Sequence, residues 1–268
     1  MSWTREVLGT EKPIIAMCHL QAMPGDPYYD AAGGIDKDFE MAKSDFLKLQ
    51  EGGVDAVMFS NEFSMPYLTE VKTETVAAMA SIIGQLKAFI KIPFGVNVLW
   101  DPYKSLDLAA ATGALFIREI MSGVYASDFG IWNTNTGEIV RHKKNLGLDH
   151  VKLLFNIVPE AAVYMGGRDI VSIAKSTVFN CRPDALCVSG LTAGAETDTQ
   201  ILTNVKETVP DTLVFCNTGC REDNIERQLA HSDGAVVGTT FKINGKFEDA
   251  VDPNRVRAFM EKVRSFRR

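Results

Sequence analysis

Short apolar runs alternate with segments of helical periodicity along the chain, and this alternation limits the fold more than any other sequence feature. The first run, IIAMCH at residues 14–19, is apolar on both faces, as expected of a parallel strand that is covered on both sides. We predict eight such strands, at residues 14–19, 55–60, 94–99, 114–120, 151–158, 185–189, 213–217 and 235–238. Helices are predicted to follow them, at residues 36–52, 72–90, 106–112, 137–145, 169–178, 197–208, 220–234 and 252–266.

Eight strand–helix units predict an α/β fold, a single (β/α)₈ TIM barrel that spans residues 1–268 as one domain. The length agrees, because barrels of this kind commonly need roughly 250 residues. The competing architecture is an open doubly wound sheet, whose GxGxxG fingerprint would follow the first strand, where this chain has CHLQAMPG. Residues 123–137 interrupt the rhythm and are predicted to be an extended loop, and residues 160–167 an irregular or briefly helical loop.

Composition narrows the class of protein. The formal net charge of -6 argues against nucleic acid as the main partner, since such binding uses clustered Lys and Arg. No apolar run approaches the ~18 residues of a membrane span, so we expect none. The 5 cysteines include no CxxC pair, which favours a reducing cytoplasm over a cross-linked secreted chain. Barrels also self-associate through exposed helices, so a homo-oligomer is an open alternative to a monomer.

Polar residues stand where the predicted strands end, and in a TIM barrel these ends carry the catalytic groups. The candidate catalytic residues are His19, Glu62, Asp101, Arg118 and Glu119. A histidine suits proton transfer near neutral pH, and burial raises the pKa of a carboxyl towards the range of a general acid. His19 held by backbone carbonyls beneath the first loop is the structural alternative.

Amide and hydroxyl side chains at other strand ends suit a ligand with several hydroxyl groups. The candidate substrate-binding residues are Asn97, Asn156, Ser189 and Asn217, and the alternative is that they hydrogen-bond loop backbone. No cofactor is predicted. The histidine, carboxylates and asparagines could instead hold a divalent metal, although no HExxH spacing supports it.

Residues 213–242 contain the last two predicted strands, each followed by glycine. In barrels, the loops after strands 7 and 8 frequently bind phosphate, and glycine lets backbone N–H groups approach an anion. The candidate phosphate-binding residues are Thr218, Gly219, Gly238, Thr239, Thr240 and Lys242. The alternative is a pair of ordinary turns.

Eight ordered motifs together resemble the BtpA/SgcQ family, and most closely its SgcQ branch. They are AMCHLQAMPGDP, GGVDAVMFSNE, FGVNVLWD, FIREI, FNIVPEAA, SGLTAG, NTGCREDNI and DGAVVGTTFK. The resemblance implies a TIM barrel of the phosphate-binding kind. One branch of the family is associated with accumulation of photosystem I, and the SgcQ branch with a gene cluster that looks like sugar transport and metabolism. The resemblance assigns no catalytic residue.

The function expected from these features is an enzyme that isomerises, epimerises or cleaves a small phosphorylated sugar or sugar-like metabolite. Two alternatives stay open. One is a non-catalytic biogenesis, assembly or regulatory factor of BtpA type, which would recognise a partner through the aromatic segment 125–132. The other is a metal-dependent hydrolase.

Overall fold

Eight parallel strands close into a barrel in a computed structural model that describes residues 2–190 and 194–268; residues 191–193 of the SGLTAG motif lie outside the described part. The strands of the described chain are β1 Ile14–His19, β2 Ala56–Ser60, β3 Phe94–Asn97, β4 Phe116–Glu119, β5 Val124–Ser127, β6 Gly130–Asn133, β7 Lys152–Ile157, β8 Ala162–Tyr164, β9 Ala185–Val188, β10 Leu213–Cys216 and β11 Gly234–Val237. The barrel order is β1, β2, β3, β4, β7, β9, β10 and β11, and β11 pairs with β1. The predicted TIM barrel is confirmed.

Helices follow the barrel strands, and an additional short helix precedes the first strand. They are α1 Trp3–Leu8, α2 Gly34–Gly52, α3 Thr73–Leu86, α4 Pro102–Thr112, α5 Thr136–Asn145, α6 Ile170–Cys181, α7 Thr199–Thr208, α8 Ile225–Ala230 and α9 Pro253–Arg267. Helix α4 begins four residues before the predicted start, because Asp101 caps it and Pro102 suits the first helical position.

Helix α1 lies at the amino-terminal ends of the barrel strands and was not predicted. Its Trp3 indole donates a hydrogen bond to the carbonyl oxygen of Asp184 at 2.9 Å, and the Trp3 ring stacks on Phe215 inside the barrel. The helix therefore closes the end of the barrel opposite to the site described below.

An antiparallel sheet of β6, β5 and β8 replaces the two loops that the sequence predicts at residues 123–137 and 160–167. Those predictions are wrong because the strands have only three or four residues each, too few for a periodicity to stand out. Tyr125 and Trp132 on its inner face are buried, and Trp132 stacks on Trp100 with ring centroids 3.6 Å apart. The sheet is therefore packed against the segment that follows β3.

The barrel interior has its own apolar core, distinct from the layer between strands and helices. Alternate strand residues point inward, and the interior core consists of Leu8, Ile15, Met17, Ala56, Met58, Phe116, Leu154, Ala185, Cys187, Phe215 and Val236. This core fixes which residue on each strand faces inward at the carboxyl end.

The carboxyl-terminal helix is tied to the start of the chain. Arg267 pairs with Asp55 at 2.6 Å and donates to the carbonyl oxygen of Lys12 at 2.7 Å.

Among the described helices, none has both the length and the apolar character that crossing a membrane demands.

Candidate functional site

A layer of polar side chains lies next to the apolar interior of the barrel, at the carboxyl-terminal ends of the barrel strands. Because side chains alternate along a strand, the inward residue that follows the last apolar one on each strand belongs to this layer. The layer is formed by His19, Ser60, Asn97, Arg118, Asn156, Ser189, Asn217 and Gly238. Six residues predicted as catalytic or substrate-binding therefore lie at one level of the barrel: His19, Asn97, Arg118, Asn156, Ser189 and Asn217. The sequence identified these residues, but it could not fix whether each side chain points into the barrel or out of it.

Arg118 is the centre of this layer. Its two terminal nitrogens donate to the Oδ1 atoms of Asn217 at 2.9 Å and of Asn97 at 2.8 Å. Asn217 in turn donates to the hydroxyl of Ser189 at 2.9 Å, and that hydroxyl is 3.4 Å from the Oδ1 of Asn156. The guanidinium is thus held in plane by amide oxygens rather than by a carboxylate, which keeps its charge available to an anionic ligand.

A cavity of about 430 Å³ opens above Arg118, within the size range of small-molecule sites. It is lined by residues of the loops after the seventh and eighth barrel strands and by the polar layer. Its lining includes His19, Glu62, Arg118, Glu160, Asn217, Thr218, Gly219, Cys220, Arg221, Gly238, Thr239, Thr240, Phe247 and Arg255. A smaller adjoining space shares Glu62, Arg118 and Glu160 and reaches Asn97, Glu119 and Asn156.

Glu62 is half-buried at the cavity, and its carboxylate accepts a hydrogen bond from Ser60 at 3.3 Å. Burial raises the pKa of Glu62 above its ordinary value, the Arg118 charge opposes this rise, and the nearby Glu160 carboxylate adds to it. A carboxyl balanced in this way can both accept and release a proton.

Glu160 lines the cavity and was not predicted from the sequence. It stands two residues after the predicted fifth strand, as Glu62 does after the second, so its place after a strand end was an available signal. Its Oε2 atom is buried, and among the described residues no hydrogen-bond partner reaches it. A buried acceptor of this kind is costly unless a ligand or water satisfies it.

Glu119 lies behind the layer rather than in the main cavity. It accepts hydrogen bonds from Asn97 and from the backbone N–H groups of Trp100 and Ile120, both at 3.0 Å. Burial raises the pKa of Glu119 to about 8, although the Ile120 hydrogen bond and the Arg118 charge act in the opposite direction. Glu119 therefore orients Asn97, which in turn orients Arg118.

His19 is buried against the rings of Phe63 and Phe247, whose centroids lie 6.4 and 5.2 Å from its own. Burial, with smaller effects from the charges of Lys242 and Arg118, lowers the pKa of His19 to about 3. The ring is consequently neutral over the usual pH range, which differs from the near-neutral titration that the sequence suggests. It can offer a hydrogen bond to a ligand but not a positive charge.

Close contacts require glycine at position 219, in the loop after the seventh barrel strand, and they leave little room at Gly238 in the polar layer. Gly219 has φ of +69°, and a Cβ there would lie 2.3 Å from the carbonyl oxygen of Ala195. A Cβ at Gly238 would lie 3.1 Å from the Nε2 atom of His19. Thr239 opens a short 3₁₀ turn, Thr239–Phe241, so the first amides of the turn have no acceptor within it.

Arg221 and Arg255 line the same end of the cavity. Arg255 comes from the first turn of α9, and its Nε donates to the carbonyl oxygen of Thr240 at 2.8 Å. Arg221 is paired with Glu196 at 2.8 Å. Neither arginine was predicted from the sequence, although the start of the helix that follows the last barrel strand and its loop is a signal that could have indicated Arg255.

Three predicted residues line neither of the two spaces: Ser189 is bonded to Asn217 within the polar layer, and Asp101 and Lys242 lie elsewhere. Both carboxylate oxygens of Asp101 accept backbone hydrogen bonds, from Lys104 at 3.1 Å and Val71 at 2.9 Å, so Asp101 is a helix cap. Lys242 is buried and pairs with Asp45 at 3.3 Å on the outer side of the barrel. These local bonds explain why Asp101 and Lys242 lie outside the cavity, and we retain neither as a site residue.

Within residues 2–190 and 194–268, no cluster of three or more His, Cys, Asp or Glu side chains is arranged to hold a metal ion.

Comparison with known proteins identifies the family. The sequence model of the BtpA family matches residues 10–265. The SgcQ protein of the sgc region of Escherichia coli (strain K12) is 65% identical over 268 residues, which is 100% of both chains. The photosystem I biogenesis protein BtpA of Synechocystis is 30% identical, over 94% of this chain and 88% of that protein.

Solved structures with low sequence identity share the fold. One is the (S)-3-O-geranylgeranylglyceryl phosphate synthase of Thermoplasma acidophilum in complex with its substrate sn-glycerol-1-phosphate, with a TM-score of 0.60 and 15% identity over 99% of each chain. Another is the phosphoribosyl anthranilate isomerase of Thermococcus kodakaraensis, with a TM-score of 0.54 and 13% identity over 94% of this chain and 99% of the other. These structures show the fold. The family model and the two relatives confirm the resemblance of the eight motifs and show that the chain belongs to the BtpA family.

Proposed function

We propose that this protein is an enzyme that acts on a small phosphorylated sugar or sugar-like metabolite, by isomerisation, epimerisation or lyase chemistry. The observation that carries the proposal is the division of one cavity into two ends. One end is lined by glycine-rich loops and arginines, and the other by two carboxylates around a fixed guanidinium. Such a cavity fits a ligand with an anionic group at one end and a reacting carbon at the other.

The phosphate would lie at the end formed by Thr218, Gly219, Gly238, Thr239 and Thr240. Backbone N–H groups that no Cβ shields can approach phosphate oxygens, and Arg255 adds a positive charge. The position supports this assignment, because the loops after barrel strands 7 and 8 frequently bind phosphate. The solved synthase, a barrel of the same fold, is in complex with a phosphorylated substrate, sn-glycerol-1-phosphate.

The reaction would take place between Glu62 and Glu160. One carboxylate would remove a proton from carbon, and the other would return it or protonate an oxygen. Arg118 would stabilise the developing oxyanion, because both terminal nitrogens are already fixed by Asn97 and Asn217 and need no reorganisation. Asn156 would bind a sugar hydroxyl, Ser189 would hold Asn217 and Asn156 in place, and neutral His19 would add a hydrogen bond.

A thermal-shift screen tests the proposal directly. The purified protein is heated with phosphate, sulfate and phosphorylated pentoses, hexoses and amino sugars, with and without Mg²⁺, Mn²⁺ or Zn²⁺. The matched control for each sugar phosphate is the same sugar without phosphate. A ligand at one hundred times its Kd should stabilise the fold by about 2.7 kcal/mol, and a flat response to every phosphorylated compound would contradict the proposal.

Glu62 and Asp101, two carboxylates predicted at strand ends, provide a test variant and a control variant for the proposed proton transfer. With a ligand in hand, exchange of its carbon-bound hydrogen with deuterated solvent is followed by NMR. Glu62→Gln should keep binding but lower the exchange rate by about 10²-fold or more. Asp101→Asn removes a carboxylate that lies outside the cavity and should keep the rate in whatever fraction stays folded. Equal losses in the two variants would remove Glu62 from the mechanism.

The outer face of the small sheet favours a second candidate, a regulatory or assembly factor. Ile131, Val163 and Met165 on this face are 63%, 71% and 57% exposed, whereas Tyr125 and Trp132, which the sequence suggested for partner recognition, are buried inside. The photosystem I biogenesis name of one relative is the reason to test it. The double variant Ile131→Glu, Val163→Glu should still be stabilised by ligand. If only this variant loses the phenotype that the protein gives in cells, the result supports the second candidate.

A further inference from the structure

A strained turn follows the third barrel strand and carries Trp100. Residues 98–101 form this turn, which is closed by a hydrogen bond from the Asp101 N–H to the carbonyl oxygen of Val98 at 2.9 Å. Trp100 is its third residue and has φ of +74°. Glycine ordinarily occupies such a position, because a side chain there crowds its own backbone. The chain therefore places a very large side chain where the backbone alone would favour the smallest.

Side chains at the ends of the two neighbouring strands fix this turn. The Leu99 N–H donates to the Oδ1 atom of Asn61, after β2, at 2.7 Å. The Trp100 N–H donates to the carboxylate of Glu119, at the end of β4, at 3.0 Å. A strained conformation persists only where the surrounding structure determines it, and such residues cluster at ligand sites. The strain at Trp100 therefore suggests a role for its side chain.

Three other aromatic rings pack against Trp100. Trp132 stacks on it with ring centroids 3.6 Å apart and planes 18° apart, and the rings of Phe129 and Tyr67 lie 5.7 and 6.1 Å away. The Tyr67 hydroxyl donates to the backbone carbonyl oxygen of Glu62 at 2.9 Å, which ties this aromatic cluster to the site. The Trp100 indole is therefore held in place by packing on several of its edges and faces.

Trp100 lies between two spaces. One is the smaller space of about 50 Å³ that shares Glu62, Arg118 and Glu160 with the main cavity, and we call this the reaction end. The other is a cavity of about 790 Å³ that is also lined by the small sheet and by the start of helix α4. Trp100 and Ile120 line both. Since a water-sized group needs roughly 10–15 Å³ of such volume, only a few ligand atoms fit at the reaction end before they meet the indole.

We propose that Trp100 determines the specificity of the site, by restricting it to phosphorylated sugars whose reacting end carries no substituent. The inference rests on the proposed function. With its phosphate held by the glycine loops, such a sugar places its last carbon and oxygen between Glu62 and Glu160. A glycoside or another conjugate at that end collides with the indole, and this steric exclusion sets the substrate class.

A smaller residue at position 100 should widen the specificity. Trp100→Gly removes the indole and suits the positive φ, so this variant should melt at a higher temperature than Trp100→Ala. Each sugar phosphate that stabilises the wild type is compared with its phenyl glycoside, whose ring can enter the space that the indole leaves. We expect the wild type to bind the glycoside at least about tenfold more weakly than the free sugar phosphate, and the difference to fall below about threefold in Trp100→Gly. Trp100→Phe keeps a smaller ring and should give an intermediate ratio.

Inorganic phosphate separates this inference from the proposed function. It should stabilise the wild type and the variants equally, because Trp100 lies at the reaction end and not in the loops after the seventh and eighth barrel strands. Trp3→Ala removes a tryptophan at the opposite end of the barrel and should keep the wild-type ratio in the folded fraction.

Two results would overturn the role of Trp100. One is a wild type that binds phenyl glycosides as tightly as free sugar phosphates, and the other is an unchanged ratio in both Trp100→Gly and Trp100→Phe. A wild type that neither phosphate nor any sugar phosphate stabilises would instead overturn the proposed function, and this inference with it.

Discussion

The α-carbon of Gly219 faces the carbonyl oxygen of Ala195 so closely that a Cβ would lie 2.3 Å from it. Gly219→Ala must therefore move one of the two loops, and it must also hold alanine at a positive φ. We expect a loss of about 2 kcal/mol or more in the free energy of unfolding and no stabilisation by phosphate, measured by denaturant unfolding and thermal shift. The control is Gly84→Ala in α3, where the added Cβ meets open space and helix propensity predicts a gain of roughly 0.5–1 kcal/mol.

The raised pKa of Glu119 predicts that the free energy of unfolding depends on pH. Its pKa is raised to about 8 in the folded state, so between pH 4.5 and 8 the folded chain binds more protons at this site than the unfolded chain. The Glu119 contribution to the free energy of unfolding is full below about pH 4.5 and is lost as the pH rises through 8, at up to about 1.4 kcal/mol per pH unit. Glu119→Gln removes this slope. Denaturant unfolding of both proteins between pH 4 and 9 gives the difference, and parallel curves would contradict the raised pKa.

His19 should not titrate near neutral pH. Because burial lowers its pKa to about 3, its imidazole NMR signals should stay fixed between pH 5 and 9. His19→Gln identifies these signals by their disappearance. A midpoint near pH 6.5 would restore the histidine as a general base and would weaken the assignment of proton transfer to Glu62 and Glu160.

Lys242 should matter for stability and not for ligand binding. Lys242→Met leaves the Asp45 carboxylate buried without its main charge partner, and breaking one side of such a pair costs about 3–5 kcal/mol. Adding Asp45→Asn should recover part of that loss. Thermal shifts caused by sugar phosphates should be unchanged in the folded variant, and a selective loss of ligand binding would return Lys242 to the phosphate site.

The sequence was sufficient for the barrel and for most of the polar layer. Buried parallel strands such as β1 are apolar on both faces, so they are easy to recognise. Their last residues, and the residues that follow, reach one end of any closed barrel. Asn97, Arg118 and Asn217 could therefore be named before their hydrogen bonds were seen.

Side chains whose roles depend on local bonding could not be assigned in the same way. Asp101 stands after a strand, as a catalytic residue would, but the residues that follow it begin a helix and its carboxylate caps that helix. Glu160 follows a proline in an irregular segment, and its position against Glu62 depends on the path of the whole loop. Asp101 with Pro102 after it was a local signal for that helix start, whereas the irregular path of the loop that carries Glu160 has no such signal.

The pairing of β1 with β11 joins Ile14 to Ala235, positions separated by nearly the whole chain. At a synthesis rate of about 5–20 residues per second, tens of seconds pass between the synthesis of β1 and that of β11, with which it pairs. Over that interval one side of an apolar strand has open hydrogen-bonding groups, which other nascent chains could pair with. Closure by the carboxyl-terminal quarter is therefore also the step that protects the unfinished protein from aggregation, and mutations that weaken β11 or α9 should reduce the yield of soluble protein in cells more than they reduce its stability once folded.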